Sequence, residues 1–361
     1  MKIAIINRHK EDTIGGSEIQ CDIIARGIKD RGHSIHYLAI EGEADYKADY
    51  PVIPVENNAD SIVETIKNIN PDVIYWRYNK HQFFPTARKI KSLKIPFIFA
   101  VSHLNDIKEW SAKAVSKEKP LLKRLVIKGL RIIDNRLQYR GFRYVDGVVV
   151  NNEEFLNKVN VPKQVYIRSS VENNKQEFSW HRPFVVWVSS LKPSKRPEEC
   201  IEIAKYLKKS GLDLLMIGPI QKGSYQFFTE KDKLPENLQY LGMKSLEEVN
   251  GAIKSSLCLI HTGEPEGFPN TFMQAWMQEK IVISLEYDPD RIIEKECLGF
   301  CAKGSLERLN EFLSSVLYSP QEREEMEKKA SQFANENFSP EKNVNQLVDF
   351  FSRVIQKKVN E

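Results

Sequence analysis

Residues 259–285 of the chain read LIHTGEPEGFPNTFMQAWMQEKIVISL, and this stretch indicates the fold around it. It contains, in order, a short apolar run, a polar loop at 264–270, an apolar helical pattern and a second apolar run. That order predicts a strand, a loop, a helix and a strand, which is the repeating unit of a parallel α/β sheet. The first-turn N–H groups of a helix have no partner within it, and the helix dipole makes this end electropositive. The loop and the helix start therefore form a predicted phosphate-binding site.

The length of 361 residues predicts two domains, since one domain usually takes roughly 100–200 residues. Hydrophobic residues make up 41% and charged residues 28%, which is typical of a folded globular protein. The first apolar run is too short for a signal peptide, and no run approaches the ~20 apolar residues of a membrane span, so we expect a cytoplasmic protein. The five cysteines are scattered, so we expect reduced core thiols, with no disulfide framework and no metal site at Cys297 and Cys301.

Two series of alternating strand and helix patterns follow each other along the chain, which predicts an α/β fold with two parallel sheets. The strand patterns lie at 2–7, 34–40, 51–55, 72–76, 95–101 and 146–150 in the first series, and at 184–188, 213–217, 238–241, 257–260 and 281–285 in the second. The main helical patterns lie at 17–32, 60–69, 85–93, 119–143, 197–209, 245–254, 270–277, 306–317, 320–336 and 341–354. Ser17 and Gln20 have the spacing of a capping box at the start of the first helix. The polar segment 172–182 is the predicted hinge.

Two motifs resemble those of a known enzyme family. The sequence EGFPN at 266–270, followed by apolar residues and by Ala275, is similar to the C-terminal signature of the retaining GT-B glycosyltransferases of the glycosyl transferases group 1 type. The sequence GGSEIQ at 15–20, with RGH at 31–33, resembles the N-terminal motif of that family. The resemblance implies a GT-B fold, in which two Rossmann-like doubly wound domains face each other across a cleft. The implied parts are an acceptor-binding domain at 1–172, a donor-binding domain at 173–338 and a C-terminal helix at 339–361 that returns to the first domain.

The resemblance also implies donor-binding residues in the second half. In this family two glutamates separated by seven residues embrace the nucleotide-sugar donor; Glu266 matches the first, whereas Gln274 stands at the second position. The loop SSLKPSKRPE at 189–198 is similar to the donor-phosphate loop, with Lys195 at the position of its lysine and Ser190 at that of its arginine. Arg196 or Lys192 is expected to supply the missing cation, unless the loop is an ordinary solvated surface turn. The remaining predicted donor contacts are Gly16, Gly267, Phe268, Pro269, Asn270 and Thr271.

Further candidates lie at the carboxyl ends of predicted strands in the first half, where open parallel sheets bind ligands. Arg8, Gly15 and Arg77 are the acceptor-side candidates, although two glycines before a helix also suit a plain tight turn. His103 follows the strand pattern at 95–101. The resemblance implies that His103 contacts the donor sugar near the reacting carbon, and the alternative is a histidine of the surface or the core.

The chemistry of sugar transfer explains these residue types. Breaking a sugar–phosphate bond builds negative charge on the departing diphosphate and positive charge on the anomeric carbon, so fixed cations and helix N-termini lower the barrier. We therefore expect Lys195 and the helix start at 269–271 to hold the phosphates, and Glu266 to orient sugar hydroxyls. The absence of a carboxylate at Gln274 is expected to weaken donor binding by roughly 1.5–3 kcal/mol. No cofactor is expected, and no metal is assigned to the Asp-Pro-Asp sequence at 288–290.

The segment 106–143 is strongly basic, with eleven Lys or Arg against four acids in a chain whose net charge is +4. Apolar residues recur every three to four positions across 119–143, which predicts one long amphipathic helix. Either this helix packs on the domain with a solvated basic face, or it attracts an anionic membrane surface and brings the protein to a lipid-linked acceptor. A nucleic-acid partner is not expected, because no groove-binding motif accompanies the charge.

Three functions fit these features. The leading hypothesis is a metal-independent glycosyltransferase of polysaccharide biosynthesis, which moves a sugar from a nucleotide-diphosphate sugar to a glycan, lipid-linked or small-molecule acceptor with retention of configuration. The second is a sugar-nucleotide-binding protein of GT-B shape with weak or lost activity, which Gln274 and Ser190 favour. The third is a GT-B-shaped sugar-nucleotide epimerase, which would isomerise the donor even without an acceptor. The expected location is the cytoplasm, with the inner face of the membrane as the peripheral alternative.

Overall fold

The computed structural model describes residues 1–13, 15–43, 45–111, 121–221, 223, 225–265 and 268–359. The chain divides into two compact units. The first comprises Met1–Ser170 with Pro340–Glu361, and the second comprises Val171–Ser339. The boundaries implied by the resemblance, after residues 172 and 338, lie two residues later and one residue earlier than these.

The first unit is built on a parallel sheet of seven strands. The strands are β1 (Lys2–Asn7), β2 (Ser34–Ile40), β3 (Val52–Val55), β4 (Val73–Trp76), β5 (Phe97–Val101), β6 (Gly147–Val150) and β7 (Gln164–Tyr166). Their order is β3-β2-β1-β4-β5-β6-β7. Strands β2 and β3 follow on one side of β1, and strands β4 to β7 follow on its other side. Strands β4 and β5 are buried throughout, as their continuous apolar sequences require. The sequence patterns miss β7, because it consists of three half-buried residues without an apolar run.

The helices of the first unit that precede the second are α1 (Gly16–Lys29), α2 (Ala59–Ile69), α3 (Phe83–Leu93), α4 (Leu104–Ile107) and α5 (Leu121–Tyr139). The predicted capping box of α1 is wrong. The N-cap is Gly15 and no side chain caps it, because the hydroxyl of Ser17 donates instead to the backbone oxygen of Arg77 at 3.2 Å. The prediction that this helix runs to Gly32 is confirmed: the regular helix stops at Lys29, and Gly32 closes it at φ +76°, where Gly32 N donates to Lys29 O at 2.8 Å and His33 N donates to Ile28 O at 3.3 Å.

Helix α5 is shorter than the predicted helix at 119–143. It ends at Tyr139 and continues as a 3-10 turn, Arg140–Tyr144, and the first two predicted positions lie outside the described residues. The turn buries Gly141 against α3, where an added Cβ would lie 2.6 Å from the ring of Phe83. The α-helical conformation of α5 therefore ends where the following turn packs closely on α3.

The second unit is built on a parallel sheet of six strands. These are β8 (Phe184–Val188), β9 (Asp213–Ile217), β10 (Leu238–Tyr240), β11 (Leu259–His261), β12 (Val282–Ser284) and β13 (Gly299–Cys301), in the order β10-β9-β8-β11-β12-β13. Its helices are α6 (Glu199–Leu207), α7 (Leu246–Ser255), α8 (Asn270–Met277), α9 (Ile292–Lys295), α10 (Leu306–Tyr318) and α11 (Pro320–Asn337). The ring of Trp276 in α8 is fully buried; it stacks on Phe338 and contacts Phe333 edge-on. Helix α8, which lies within the stretch 259–285, is therefore packed in the core of the second unit.

The predicted hinge at 172–182 is not a free linker. Its backbone is bound along α7, since Gln176 N donates to Glu247 O at 3.0 Å and the side chain of Asn250 donates to Asn174 O at 2.6 Å. Gly251 permits this contact, because a Cβ there would lie only 1.9 Å from Gln176 O. The segment therefore belongs to the second unit as an irregular strap.

The last helix, α12 (Pro340–Val359), packs in the first unit. Val344 and Phe351 join the core cluster that contains Ile28 of α1, and the ring of Phe351 lies 5.5 Å from that of Tyr75 in β4. The α12 helix therefore covers one face of the seven-stranded sheet.

Two absences hold for the part of the chain that the structure describes. Of the helices in that part of the chain, none combines the length and the apolar character needed to cross a bilayer. Within the same residues, no group of three or more His, Cys, Asp or Glu side chains is placed to hold a metal ion. Asp288 of the Asp-Pro-Asp sequence instead accepts from the backbone N–H groups of Ile293 and Glu294 at the start of α9.

Candidate functional site

Each sheet has one point where its strand order reverses. In the second unit this point lies between β8 and β11, and in the first unit it lies between β1 and β4. Open parallel sheets bind ligands beyond the carboxyl ends of the strands at such points. The loops that follow these four strands are 189–196, 262–269, 8–15 and 77–82, and they contain most of the predicted site residues.

In the second unit, the two loops at this point are tied together by their backbones. The hydroxyl of Thr262 donates to the backbone oxygen of Lys195 at 2.7 Å, and Glu264 N donates to Ser194 O at 2.9 Å. Thr262 is fully buried and also accepts from Nε1 of Trp187 at 2.9 Å. The turn that carries Lys195 is therefore fixed against the end of β11.

His261 is a residue of this site that sequence reasoning missed. Its ring is 4% exposed, Nδ1 lies 3.2 Å from the hydroxyl of Ser284, and Nε2 is buried without a partner among the described residues. An added Cβ on Gly263 would lie 3.0 Å from this Nε2 and 3.2 Å from Cδ of Lys195. Burial, and then the charge of Lys195, lower the pKa of His261 to about 3, so the ring is neutral in the folded protein.

The predicted cations of the donor-phosphate loop differ in their surroundings. Lys195 is half-buried at the end of a 3-10 turn beside β11. Arg196 follows it, and its guanidinium is held by Glu199 at 2.5 Å and Glu286 at 2.8 Å. The expectation that Arg196 supplies a cation for the donor is therefore weakened, because two carboxylates already balance its charge.

Ser190 lies where β8 meets the neighbouring strand β9. Gly218 after β9 has φ +144°, and a Cβ there would lie 1.9 Å from Ser189 O. The backbones therefore approach more closely than any side chain at Gly218 would permit. Ser190 itself is half-buried and brings no charge to the loop.

Of the predicted donor residues, Phe268 and Pro269 lie in the loop between β11 and α8, and Asn270 and Thr271 are the first two residues of α8. Helix α8 begins at Asn270, and its N-cap Pro269 has no side-chain group that could cap the first turn. Phe268 is not available to a ligand: its ring is 7% exposed and packs against Trp276 and Phe338. Phe268 therefore anchors the loop to the core. Glu266 and Gly267 lie outside the described residues.

Gln274 has a partner within the protein. The side chain is 7% exposed, and its Nε2 donates to Oδ1 of Asn250 in α7 at 2.9 Å. The predicted contact with the ribose of a donor therefore competes with a hydrogen bond between two helices.

In the first unit, the predicted acceptor-side residues meet where the strand order reverses, but Arg77 is not exposed to an acceptor. Arg77 is 7% exposed, and its guanidinium donates to the hydroxyl of Tyr75 at 3.2 Å and to that of Ser169 at 3.3 Å. Arg77 thus holds the end of β4 to the segment at Ser169 inside the first unit. Arg8 is more accessible and pairs with Glu41.

Gly15 and Gly16 form the start of α1 beside Arg77. Gly16 is exposed and is the first residue of the helix. Glu18 lies in the first turn, and a Cβ on Gly15 would lie 2.3 Å from its carboxylate, whose pKa is raised by burial. A carboxylate already stands at this helix start, so a phosphate bound by Gly16 would have to displace it.

His103 is the N-cap of the short helix α4. Its Nδ1 accepts from Asn105 N at 3.0 Å, while Asp106 accepts from the backbone N–H groups of Ser102 and His103. Because Nδ1 is an acceptor here, the neutral ring carries its proton on Nε2. The exposed ring is therefore prepared to donate a hydrogen bond from Nε2.

Comparison with known proteins relates the chain to glycosyltransferases. Residues 170–333 match the family model of the glycosyl transferases group 1, and this range covers almost all of the second unit. The second unit belongs to that family. No curated protein sequence matches the chain.

Several solved glycosyltransferase structures resemble the whole chain. HepE of Anabaena in complex with UDP has 16% identity and a TM-score of 0.74, with 98% of this chain and 100% of that chain covered. Sucrose-phosphate synthase of Thermosynechococcus elongatus has 12% identity and a TM-score of 0.76, with 99% and 100% covered. WaaG, described as a glycosyltransferase involved in lipopolysaccharide biosynthesis, has 14% identity and a TM-score of 0.69, with 96% and 99% covered. These likenesses confirm the predicted GT-B class of α/β fold for the chain.

Proposed function

We propose that this group 1 glycosyltransferase moves a sugar from a nucleotide-diphosphate sugar to a glycan or lipid-linked acceptor, without a metal and with retention of configuration. The observation that carries the proposal is the arrangement at the ends of β8 and β11 in the unit that matches the family: Thr262 holds the turn of Lys195, His261 lies beside Lys195, and the loop after β11 leads into the start of α8. HepE, which shares the fold, has been solved with UDP and with UDP-glucose, which makes a uridine nucleotide sugar the first donor to test.

Each group has a definite part in the proposed reaction. Lys195 and the N–H groups at the start of α8 stabilise the negative charge that develops on the departing diphosphate. Thr262 holds the backbone of Lys195, so this cation is positioned before the donor arrives. Glu266 orients the sugar hydroxyls, and His103 donates a hydrogen bond from Nε2 to a sugar oxygen.

Donor binding is tested by calorimetry with UDP-glucose and three variants. Lys195→Met removes the cation while keeping the length of the side chain, and we expect affinity to fall roughly 10- to 100-fold, the effect of losing a charged hydrogen bond. Lys209→Met is the matched control, because Lys209 is an exposed lysine elsewhere in the same unit. Glu266→Ala should abolish transfer. Equal affinity of the Lys195→Met and Lys209→Met proteins would contradict the proposed donor site.

Product analysis separates the proposed reaction from its alternatives. NMR of the product reports the anomeric configuration, and inversion would contradict retention. If the donor isomerises when no acceptor is present, the protein is an epimerase. If the donor binds but is neither transferred nor slowly hydrolysed, the protein is a sugar-nucleotide-binding protein. Transfer that persists in excess EDTA is expected for a reaction without a metal.

The exposed face of α5 supports a lipid-linked acceptor. Apolar residues form a stripe of four-residue and three-residue steps along the helix, with exposed fractions from 42% to 77%: Leu122, Val126, Leu130, Ile133 and Leu137. Soluble proteins rarely leave a continuous apolar face of this kind uncovered.

Cations lie beside this stripe on the same helix. Lys123, Lys128 and Arg131 are exposed between the apolar residues. An apolar stripe bordered by lysine and arginine matches an anionic bilayer, which takes up the apolar side chains and attracts the cations. We propose that α5 lies on an anionic membrane surface and brings the enzyme to its acceptor.

A further inference from the structure

Helix α4, which follows His103, is too short to keep its conformation unaided. It consists of the four residues Leu104–Ile107, and Ile107 is the one among them that is buried. A single helical turn is unstable in water, because forming it fixes several backbone angles for one hydrogen bond. The orientation of the His103 side chain therefore depends on the groups that hold the two ends of this helix.

The start of α4 is held by a capping box in which His103 itself takes part. Nδ1 of His103 accepts from Asn105 N at 3.0 Å. The carboxylate of Asp106 accepts from Ser102 N at 3.0 Å and from His103 N at 2.9 Å. Such reciprocal bonds satisfy N–H groups that a helix start leaves without partners. The imidazole keeps this orientation only while the N–H group of Asn105 stays in place.

The end of α4 is held by Lys80, which lies in the loop after β4. Lys80 is 8% exposed, and its Nζ donates to Asn105 O at 2.7 Å and to Lys108 O at 3.0 Å. An ammonium group suits this place, because the last carbonyl groups of a helix have no partner within it and form its electronegative end. Asn135 of α5 also donates to Lys108 O, at 3.0 Å. Two neighbouring elements therefore hold the end of the helix.

Asn105 connects the lysine with the histidine. Its backbone N–H donates to Nδ1 of His103, and its backbone oxygen accepts from Nζ of Lys80. The charge of Lys80 also acts on the other half of the capping box. Burial raises the pKa of Asp106 and the charge of Lys80 opposes that rise, so Lys80 favours the ionised carboxylate that the capping box requires.

The backbone around Lys80 is fixed to the core of the first unit. The indole nitrogen of Trp76, a fully buried residue of β4, donates to Tyr78 O at 3.0 Å and to Asn79 O at 3.2 Å. Phe83 N then donates to Lys80 O at 3.1 Å at the start of α3. The position of the ammonium group is therefore set by the sheet, and the bonds of Lys80 connect the sheet with α4.

We propose that Lys80 is a positioning residue for His103: by holding Asn105 it keeps the imidazole in the capping-box orientation, with Nε2–H exposed. The assignment rests on the proposed function, in which Nε2 of His103 donates to a sugar oxygen. Lys80 acts on transfer through the histidine and contacts no substrate in this role. A lysine that only stabilised the loop after β4 would leave the conformation of the His103 ring unchanged.

The conformation is tested by NMR on the full chain without nucleotide. Lys80→Met removes the ammonium group and keeps the length of the side chain. We expect the amide hydrogen of Asn105 to exchange roughly 10-fold faster or more, and the ¹⁵N resonance of Nδ1 in His103 to move away from its hydrogen-bonded position. Asn135→Ala should cause a smaller change in the same direction. Lys91→Met is the matched control, because Lys91 is an exposed lysine of α3. Exchange and resonance equal to those of Lys91→Met would overturn the assignment.

Kinetics test whether the orientation matters for transfer. We expect Lys80→Met to lower kcat roughly 10- to 100-fold, the effect of misplacing a group in the reacting geometry, while the Kd for UDP-glucose changes less than about twofold. In a His103→Ala protein the same substitution should cause no further loss, because its effect passes through the ring. An additive loss, or an altered ring with an unchanged kcat, would make Lys80 a stabilising residue only.

The two measurements also separate this assignment from the proposed function. Thermal unfolding shows whether each variant is folded. If the wild-type protein transfers no sugar, the proposed function fails, whereas the exchange and resonance data still decide whether Lys80 positions the ring. If transfer occurs and Lys80→Met behaves like Lys91→Met, the assignment of Lys80 fails and the proposed function stands.

Discussion

The hydroxyl of Thr262 donates to the backbone oxygen of Lys195 at 2.7 Å and accepts from the indole of Trp187 at 2.9 Å. One buried hydroxyl therefore connects the ends of β8 and β11 with the turn that carries the proposed phosphate-binding cation. The position of Lys195 thus depends on the core of the sheet and not on the loop alone.

We expect Thr262→Val to weaken both stability and donor binding. Valine keeps the shape of threonine, but it removes the hydrogen bonds to the buried indole N–H of Trp187 and to the partly buried Lys195 carbonyl, at a cost of roughly 1–3 kcal/mol for the buried indole N–H. Thermal unfolding and calorimetry with UDP-glucose measure the two effects. Thr262→Ser keeps the hydroxyl and is the matched control; if it lost as much donor affinity as Thr262→Val, the hydroxyl would not be the cause.

The neutral state of His261 predicts a specific loss of stability in acid. The pKa of His261 is about 3 in the folded protein and 6.5 in an unfolded chain, so below pH 6.5 the unfolded state takes up a proton that the folded state refuses. The free energy of unfolding of the second unit therefore falls as pH drops from 6.5 towards 3, by about 1.4 kcal/mol for each pH unit.

His261→Gln should remove this component. We expect the fall in melting temperature between pH 7 and pH 5 to be smaller in the His261→Gln protein than in wild type, whatever their difference at pH 7. His181→Gln is the control, because the side chain of His181 is 67% exposed. If the melting temperature fell as much between pH 7 and pH 5 in the His261→Gln protein as in wild type, His261 would be shown to take up its proton in the folded protein as well.

Replacing Gln274 by glutamate, which restores the two-glutamate pattern, should destabilise the free protein. The Nε2 of Gln274 donates to Oδ1 of Asn250, while the side-chain nitrogen of Asn250 donates to Asn174 O. A carboxylate at 274 would face an oxygen inside the core, which costs more than the roughly 1–3 kcal/mol of an unpaired neutral group. Melting temperature measured from pH 7 to pH 4 should show the loss shrinking as the new carboxyl is protonated.

The outcome with donor separates two roles for Gln274. The family pattern leads us to expect that Gln274→Glu preserves or strengthens donor binding, in which case UDP-glucose should recover part of the lost melting temperature. Gln274→Leu serves as the comparison, since it loses the same bond to Asn250 without adding a charge. If UDP-glucose raised the melting temperature of Gln274→Glu no more than that of Gln274→Leu, position 274 would have no contact with the donor.

The apolar stripe on α5 should bind anionic vesicles. Replacing Leu130 and Ile133 together by glutamate removes two exposed apolar side chains, each of which gains about 1.5–3 kcal/mol on burial, and adds negative charge. We expect the double variant to lose most of its partitioning to phosphatidylglycerol-containing vesicles in a flotation assay. Met243→Glu is the control, because Met243 is a 59% exposed apolar residue of the second unit.

Salt and oligomer measurements complete that test. Binding should weaken as salt rises, because the cations of α5 contribute through screened attraction. Retention on neutral phosphatidylcholine vesicles should be lower than on anionic ones. If the wild-type chain binds neither vesicle type and instead forms dimers that the double variant (Leu130→Glu and Ile133→Glu) disrupts, the stripe is an interface between two copies.

Much of the fold could be predicted because buried parallel strands and amphipathic helices leave strong local patterns. The runs around Ile98 and Val186 are apolar over their whole length, as strands covered on both faces must be. The strands β7 and β13 were missed because neither lies in a run of buried apolar residues, unlike the equally short β11 and β12. The predicted capping box at Ser17 failed because its hydroxyl found a partner in Arg77, which is distant in sequence.

The sequence by itself determined which residues reach the sheet edges, since strand ends and the loops that follow them are local features. The tertiary structure alone decided where each side chain goes from there: Phe268 into the core, Arg196 to two carboxylates, Gln274 to Asn250, and His261 beside Lys195. It also decided that the apolar stripe of α5 is exposed and not packed. The physical reason is that burial and hydrogen bonding depend on partners that are remote in the chain, and a local sequence pattern does not identify those partners.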